Sequence, residues 1–232
     1  MKAMILAAGL GTRMRPLTLD TPKPLLPVGG KALIEYHLEN LATAGVRLVV
    51  INHAWLGHKI EAALGSGERW GLHIKYSAEG EPLETGGGIW RALPLLELKD
   101  NERLLVINGD VYTDLALKDF LSTELPESCL AHLMMVDNPS WHPDGDFLLQ
   151  DSGQLDEHKG QALTFGGISL LHRKLFPAQV ENDAFPLAPM LRQAIAQGGA
   201  SGYWHRGIWS DVGTPARLAE LDELLIEHSG HE

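Results

Sequence analysis

Three short segments of the 232-residue chain place phosphate-handling residue types directly after apolar runs. The first reads Leu6-Ala7-Ala8-Gly9-Leu10-Gly11-Thr12-Arg13-Met14, with Pro22-Lys23-Pro24 shortly after it. Glycines that follow a buried strand let backbone N–H groups approach phosphate oxygens with no Cβ in the way. Arg13 and Lys23 would add full positive charges. Two glycines alone would make only a tight turn, and Lys23 alone only a solvated loop lysine. Together with the apolar strand and the Pro-Lys-Pro clamp they point to a polyphosphate. A dinucleotide fingerprint would need glycine where Met14 stands, and a P-loop would need Gly-Lys-Ser/Thr, so both of those readings fail.

The second segment is Leu104-Leu105-Val106-Ile107-Asn108-Gly109-Asp110, an apolar strand that ends in polar, flexible residues. Ligands bind at the carboxyl ends of the strands of an open parallel sheet. Asp110 would therefore face the same crevice as the loop after the first strand. Its carboxylate is the hard oxygen donor that Mg²⁺ prefers, although Asn-Gly-Asp is also ordinary turn chemistry. The third segment, Ile208-Trp209-Ser210-Asp211-Val212-Gly213-Thr214-Pro215, sets a second acid between a strand and a capped helix, and Asp211 could complete a metal site. Between them, Glu79-Gly80-Glu81-Pro82-Leu83-Glu84-Thr85-Gly86-Gly87-Gly88 also follows a strand. Its glycines would let the backbone approach a flat base or a sugar ring, and Glu79 could accept a base N–H. The eleven histidines show no metal-ligand spacing. Trp55, Trp70, Trp90 and Trp204 read as packing residues.

These loops need a parallel sheet to bring them together, and the first half of the chain has its pattern. Strand-length apolar runs (1–8, 48–52, 73–77, 103–107) alternate with helical patterns (32–44, 53–64, 87–96), which is the mark of crossover units. After residue 120 the runs 130–136, 147–150 and 162–171, separated by turns, predict a more antiparallel lobe. A helix over 187–197, a strand over 203–209 and a last helix with Thr214 as N-cap and Pro215 at its first position complete the reading. The expectation is a single α/β domain over 1–232: a mainly parallel mixed sheet with a nucleotide-binding half (1–120), and a sugar-side half (121–232) that completes the metal site.

The formal net charge of −11 and the lack of a Lys/Arg cluster exclude a polynucleotide partner. Cys129 is the only cysteine, which rules out an intramolecular disulfide and suits the cytoplasm. No apolar stretch approaches the length that spans a bilayer.

Taken together, Ala7 to Met14, Pro22-Lys23-Pro24, Gly86-Gly87-Gly88, Asn108-Gly109-Asp110 and Trp209 to Thr214 resemble the sugar-1-phosphate nucleotidyltransferases over essentially the whole chain. Asn52 to Gly57, Pro82 to Gly88 and Asp137-Asn138-Pro139 are most similar to the short N-acetylmuramate-1-phosphate uridylyltransferases of peptidoglycan recycling. The resemblance implies a Rossmann-like fold, Mg²⁺, and a reaction between a nucleoside triphosphate and a sugar 1-phosphate. It implies nucleotide contacts at Ala8, Gly9, Gly11, Thr12, Arg13, Lys23, Glu79 and Gly86, with Arg13, Lys23 and Asp110 catalytic. It further implies metal ligation by Asp110 and Asp211, and sugar contacts at Asn108, Asp146 and Gly166 or Gly167. The β-helix of larger relatives is not expected after residue 232. Guanylyl transfer to mannose 1-phosphate, thymidylyl or uridylyl transfer to glucose 1-phosphate, a glycosyltransferase using Asp144-Gly145-Asp146, and a silent nucleotide-sugar sensor are the alternatives.

Overall fold

The computed structural model describes residues 1–176 and 184–229. Its centre is β1 (Lys2–Leu6), flanked by two parallel neighbours, β4 (Leu48–His53) and β6 (Arg103–Asn108). β5 (His73–Ala78) adds parallel to β4, and β11 (Gln161–His172) adds antiparallel to β6. Ala3 and Ile5 of β1 pack into one apolar cluster and Met4 into another, all three fully buried. Both faces of the strand are covered, so it reads as a continuous apolar run. The covering helices are α1 (Leu33–Thr43) and α2 (Gly57–Leu64) on the Ala3 side, and α3 (Glu84–Leu96) on the Met4 side.

The later strands continue this sheet. β11 is twelve residues long and pairs with β6, β8 (Ala131–Val136) and β9 (Phe147–Leu149) along its length. β10 (Leu155–Asp156) closes the edge beyond β9, and β12 (Ala200–Trp204) adds parallel to β8. α4 (Leu117–Leu121) and α5 (Ala188–Ala196) lie between these strands in sequence. The expected strand over 203–209 is two strands. β12 ends at Trp204, and β13 (Trp209–Asp211) leaves the main sheet to pair antiparallel with β7 (Val111–Thr113). Asp211 is thereby brought opposite Val111, next to Asp110. A small hairpin of β2 (Pro27–Val28) and β3 (Lys31–Ala32) packs under α6 (Pro215–Ser229), whose first residue is the expected proline. Trp70, Trp90 and Trp204 pack on the core as expected. Trp55 does not: it is 40% exposed, and its indole N–H donates to the Thr18 carbonyl, clipping the loop after β1.

Candidate functional site

The chain runs from β1 to β4 to β5 in one direction and then crosses to β6 on the other side of β1. That reversal opens a crevice at the carboxyl ends of β1 and β6. Register sets Leu6 between Asn52 and Asn108, so the segments that follow β1 and β6 leave the sheet side by side. Gly109 N–H donates to the Leu6 carbonyl at 2.8 Å, and a Cβ at Gly109 would lie 2.7 Å from that oxygen. Only glycine lets the two strand ends come this close.

A cavity of about 270 Å³ lies here, lined by Ala8, Gly9, Lys23, Asn52, Glu79, Glu84, Asn108 and Asp110 among others. Its floor is one hydrogen-bonded chain. Ala7 N–H donates to Asn52 Oδ1 at 2.8 Å, Asn52 Nδ2 donates to Glu79 Oε1 at 2.6 Å, and Leu83 N–H donates to Glu79 Oε2 at 2.9 Å. Asn52 and Glu79 are 2% and 7% exposed, so each needs these partners. Glu84 enters α3 with φ +58°, an uncommon conformation for a non-glycine residue and one associated with functional sites.

Lys23 reaches the crevice from a short turn held between prolines. It is 9% exposed, and its ammonium meets Asp110 Oδ2 at 2.8 Å. Beneath Asp110, the His37 imidazole donates from Nε2 to the Val111 carbonyl at 2.8 Å. Burial pushes its pKa down to about 4, against the smaller opposing pull of that carbonyl and of Asp110. His37 is therefore a neutral support for the turn that carries Asp110.

A second cavity, about 300 Å³, shares Asn108 and Asp110 with the first. Trp141, His142, Asp146, Thr164, Phe165, Gly167, Trp209 and Asp211 also line it. Asp146 Oδ2 accepts from Phe165 N–H at 2.8 Å, and its Oδ1 lies 3.2 Å from His142 Nε2. Asp211 pairs with Arg217 of α6. Among the described residues no group of three or more His, Cys, Asp or Glu side chains is gathered as a metal centre. The two acids named from sequence are nevertheless brought side by side, Asp110 immediately before β7 and Asp211 at the end of its partner β13, although about a hundred residues separate them in the chain.

The geometry thus brings together Ala8, Gly9, Lys23, Glu79, Asn108, Asp110, Asp146, Gly167 and Asp211 along two joined cavities. Gly11, Thr12 and Arg13 lie outside both linings, on an exposed loop. Gly11 has φ +62°, and Thr18 Oγ1 donates to its carbonyl at 2.7 Å. Arg13 has no ion pair among the described residues. Gly86 is directed elsewhere: a Cβ there would meet the Phe185 ring at 2.5 Å, so that face is covered by protein. Asp144 is exposed and lines neither cavity, which leaves Asp144-Gly145-Asp146 without convergent carboxylates. Asn52 joins the site without having been expected there; its one sequence signal is a polar residue at the end of an apolar strand. Trp141 and Arg217 join it too, and neither carries a local signature in the sequence.

The nucleotidyl transferase family model matches residues 2–139. An N-acetylmuramate alpha-1-phosphate uridylyltransferase of Neisseria meningitidis serogroup B is 50% identical over 229 residues, 97% of this chain and 98% of that protein. The enzyme of the same description from Caulobacter vibrioides is 34% identical, with 97% of each chain covered. Among solved structures, a Bacillus anthracis protein crystallised with sucrose superposes with a TM-score of 0.84 at 20% identity, covering 98% of this chain and 96% of that one. HddC from Yersinia pseudotuberculosis, complexed with GMP-PN, gives 0.76 at 23% identity, covering 96% and 98%. These two show the fold. With more than half of its length matched by the family model and two relatives aligned end to end, the chain belongs to the nucleotidyl transferase family.

Proposed function

We propose that the chain transfers the uridylyl group of UTP to N-acetylmuramate 1-phosphate, forming the nucleotide sugar and releasing pyrophosphate, as a cytoplasmic step in peptidoglycan recycling. The observation that carries the reaction is the meeting of two cavities at Asn108 and Asp110, with Lys23 on one side of Asp110 and Asp211 on the other. The end-to-end similarity to the Neisseria enzyme supports the choice of base and sugar. In this reading residues 1–120 supply the nucleotide half and 121–232 the sugar half, joined through β11.

The attacking phosphate oxygen is already ionised at neutral pH, since the second pKa of a phosphate monoester is about 6. No general base is needed. The work left to the protein is to hold two polyanions in line and to offset their charge. Gly9 and the turn after it present backbone N–H groups to the phosphates. Lys23 exchanges Asp110 for a phosphate oxygen, and Arg13, exposed and without an ion pair among the described residues, closes on the leaving pyrophosphate. The Asn52–Glu79 chain fixes the floor against which the base lies. Asp110, in the turn before β7, and Asp211, at the end of β13, offer two neighbouring hard carboxylates, the donor set that Mg²⁺ takes beside substrate phosphates. Bound there, the ion would neutralise phosphate charge during transfer.

The test is a pyrophosphate-release screen that crosses the nucleoside triphosphates with several sugar 1-phosphates, with and without Mg²⁺. The expected outcome is fastest release with UTP and N-acetylmuramate 1-phosphate, abolished by excess EDTA and restored by Mg²⁺. Faster release with GTP and mannose 1-phosphate would reject the substrate assignment, and full activity in EDTA would reject the two-carboxylate metal site.

A further inference from the structure

Three nitrogen-bearing side chains meet the acids of the sugar-side cavity among the described residues: Lys23 on Asp110, His142 on Asp146 and Arg217 on Asp211. Lys23 has its role in the reaction above, and Arg217 has none. It is held more rigidly than an ordinary surface arginine. The centre of its guanidinium lies 3.8 Å from the ring centre of Trp141, which in turn stacks on Trp209 at 6.4 Å and 28°. The Trp209 indole N–H is anchored to the Gly166 carbonyl at 2.9 Å. A Cβ at Gly213 would stand 2.8 Å from Asp211 Oδ1 and 2.9 Å from Arg217 Nη1, so the pair sits in room that glycine alone leaves. Trp141, Trp209 and Asp211 all line the cavity, which sets the guanidinium against its wall.

We propose that Arg217 determines specificity by binding a carboxylate carried on the sugar, so that the enzyme's acceptor substrates are acidic sugar 1-phosphates. The proposal rests on the uridylyl-transfer reading and names the residue that would make it selective. A planar guanidinium with five donors matches a planar carboxylate. Arg217 Nη1 already meets Asp211 Oδ1, and its side chain makes no other hydrogen bond among the described residues. With Asp211 given to a metal ion, the arginine would keep its charge, its aromatic seat and the donors it does not use in the pair. Asp110, Asp146 and Asp211 would repel a carboxylate anywhere else along this wall. Trp141, 47% exposed, offers an apolar face to the carbon atoms that carry the anion. A site built to bond one polar substituent discriminates strongly against the analogue that lacks it.

The experiment compares the wild type, Arg217→Gln and Arg217→Lys with UTP and two acceptors: N-acetylmuramate 1-phosphate, and N-acetylglucosamine 1-phosphate, which lacks the carboxylate. For Arg217→Gln the ratio of kcat/KM between the two acceptors should fall by about tenfold or more, the scale of a lost charge-assisted bond. The fall should lie in the acceptor KM, with the KM for UTP unmoved. Arg217→Lys should recover part of it, since charge survives and the planar fork does not. Equal losses on both acceptors would overturn the proposal, because Arg217 would then act on the phosphate or through Asp211, and so would an unchanged ratio. A wild type that fails to turn over N-acetylmuramate 1-phosphate defeats the uridylyl-transfer reading itself. Turnover with unchanged discrimination in the variants defeats only the role of Arg217. If Arg217→Gln does not fold, Arg217→Lys reports the same ratio on its own.

Discussion

Arg13 and Lys23 carry the same charge but stand in opposite relations to the fold. Arg13 is exposed and unpaired among the described residues, so its removal touches nothing in the free protein. Arg13→Ala should cut kcat/KM about tenfold or more, given about 1.5–3 kcal/mol for a charge-assisted contact, with no change in the urea midpoint. Unchanged kinetics would return the loop to the role of a tight turn. The side chain of Lys23 is 10% exposed, whereas that of its partner Asp110 is 45% exposed. The two halves of this pair should therefore behave unequally. Lys23→Met leaves a carboxylate that water can solvate, but Asp110→Asn leaves a buried ammonium with no counter-charge, the costlier defect. Both variants should lose activity, Asp110→Asn by orders of magnitude, and Asp110→Asn should lower the urea midpoint more. An equal or reversed order of midpoints would mean that the ammonium escapes to water when its partner is removed.

At the scale of elements, the crevice depends on α3 lying close to the ends of β4 and β5. Gly88 is the contact point. A Cβ there would lie 2.6 Å from Glu79 Oε1 and 2.8 Å from Asn52 Nδ2, directly in the hydrogen bond that joins them. Glycine to alanine inside a helix normally stabilises by about 0.8–1 kcal/mol. Gly88→Ala should do the reverse, costing about 1–3 kcal/mol through overpacking, and should raise the KM for the nucleoside triphosphate; denaturant titration and initial rates measure the two. A stabilised variant would show that the Asn52–Glu79 link is dispensable. The sequence announced the triplet of glycines but not which neighbour each one makes room for. Gly86 yields to Phe185, about a hundred residues away, and Gly88 to Asn52 and Glu79. The same limit governs the rest of the site. Strand ends and glycine loops were legible because apolar periodicity and turn chemistry are local signals. Asn52 was not, because its partners Ala7 and Glu79 lie 45 and 27 residues away and meet it only through sheet register. β12 and β13 read as one strand in sequence, since nothing in Tyr203 to Trp209 marks where the chain leaves one sheet for another. That departure sets Asp211 beside Asp110, a position that periodicity could not supply.

Across the whole molecule, the buried histidines give the fold a pH dependence separate from its chemistry. His37 on α1 supports the turn that carries Asp110, and His132 on β8 stacks on Phe120 at 4.8 Å. Burial pushes each imidazole from 6.5 down to about 4, aided at His132 by the nearby Arg103 charge. Burial lowers His172 as well. In the unfolded chain each returns to its ordinary value and binds a proton below about pH 6.5. Between about pH 6.5 and 4 the unfolded state thus holds more protons than the folded one, so stability falls as pH falls. The slope approaches about 1.4 kcal/mol per pH unit for each fully neutral buried histidine. Above about pH 6.5 their contribution is flat and fully present, and below about pH 4 the loss is complete. The carboxyls of Glu102 and Asp156 are held below their usual range chiefly by backbone N–H groups of Lys99 and of His158. They act in the same direction but at lower pH, which keeps the histidine window distinct. Urea titrations at half-unit steps from pH 4.5 to 8 should show a plateau above about 6.5 and a decline beneath it. His37→Gln, which can still donate to the Val111 carbonyl, should reduce that decline by about one proton's worth of slope, and the further change His132→Gln should flatten most of the rest. Stability that stays level between pH 5 and 7 in the wild type would mean that these imidazoles take up protons inside the fold, and that the neutral support assigned to His37 beneath Asp110 does not exist.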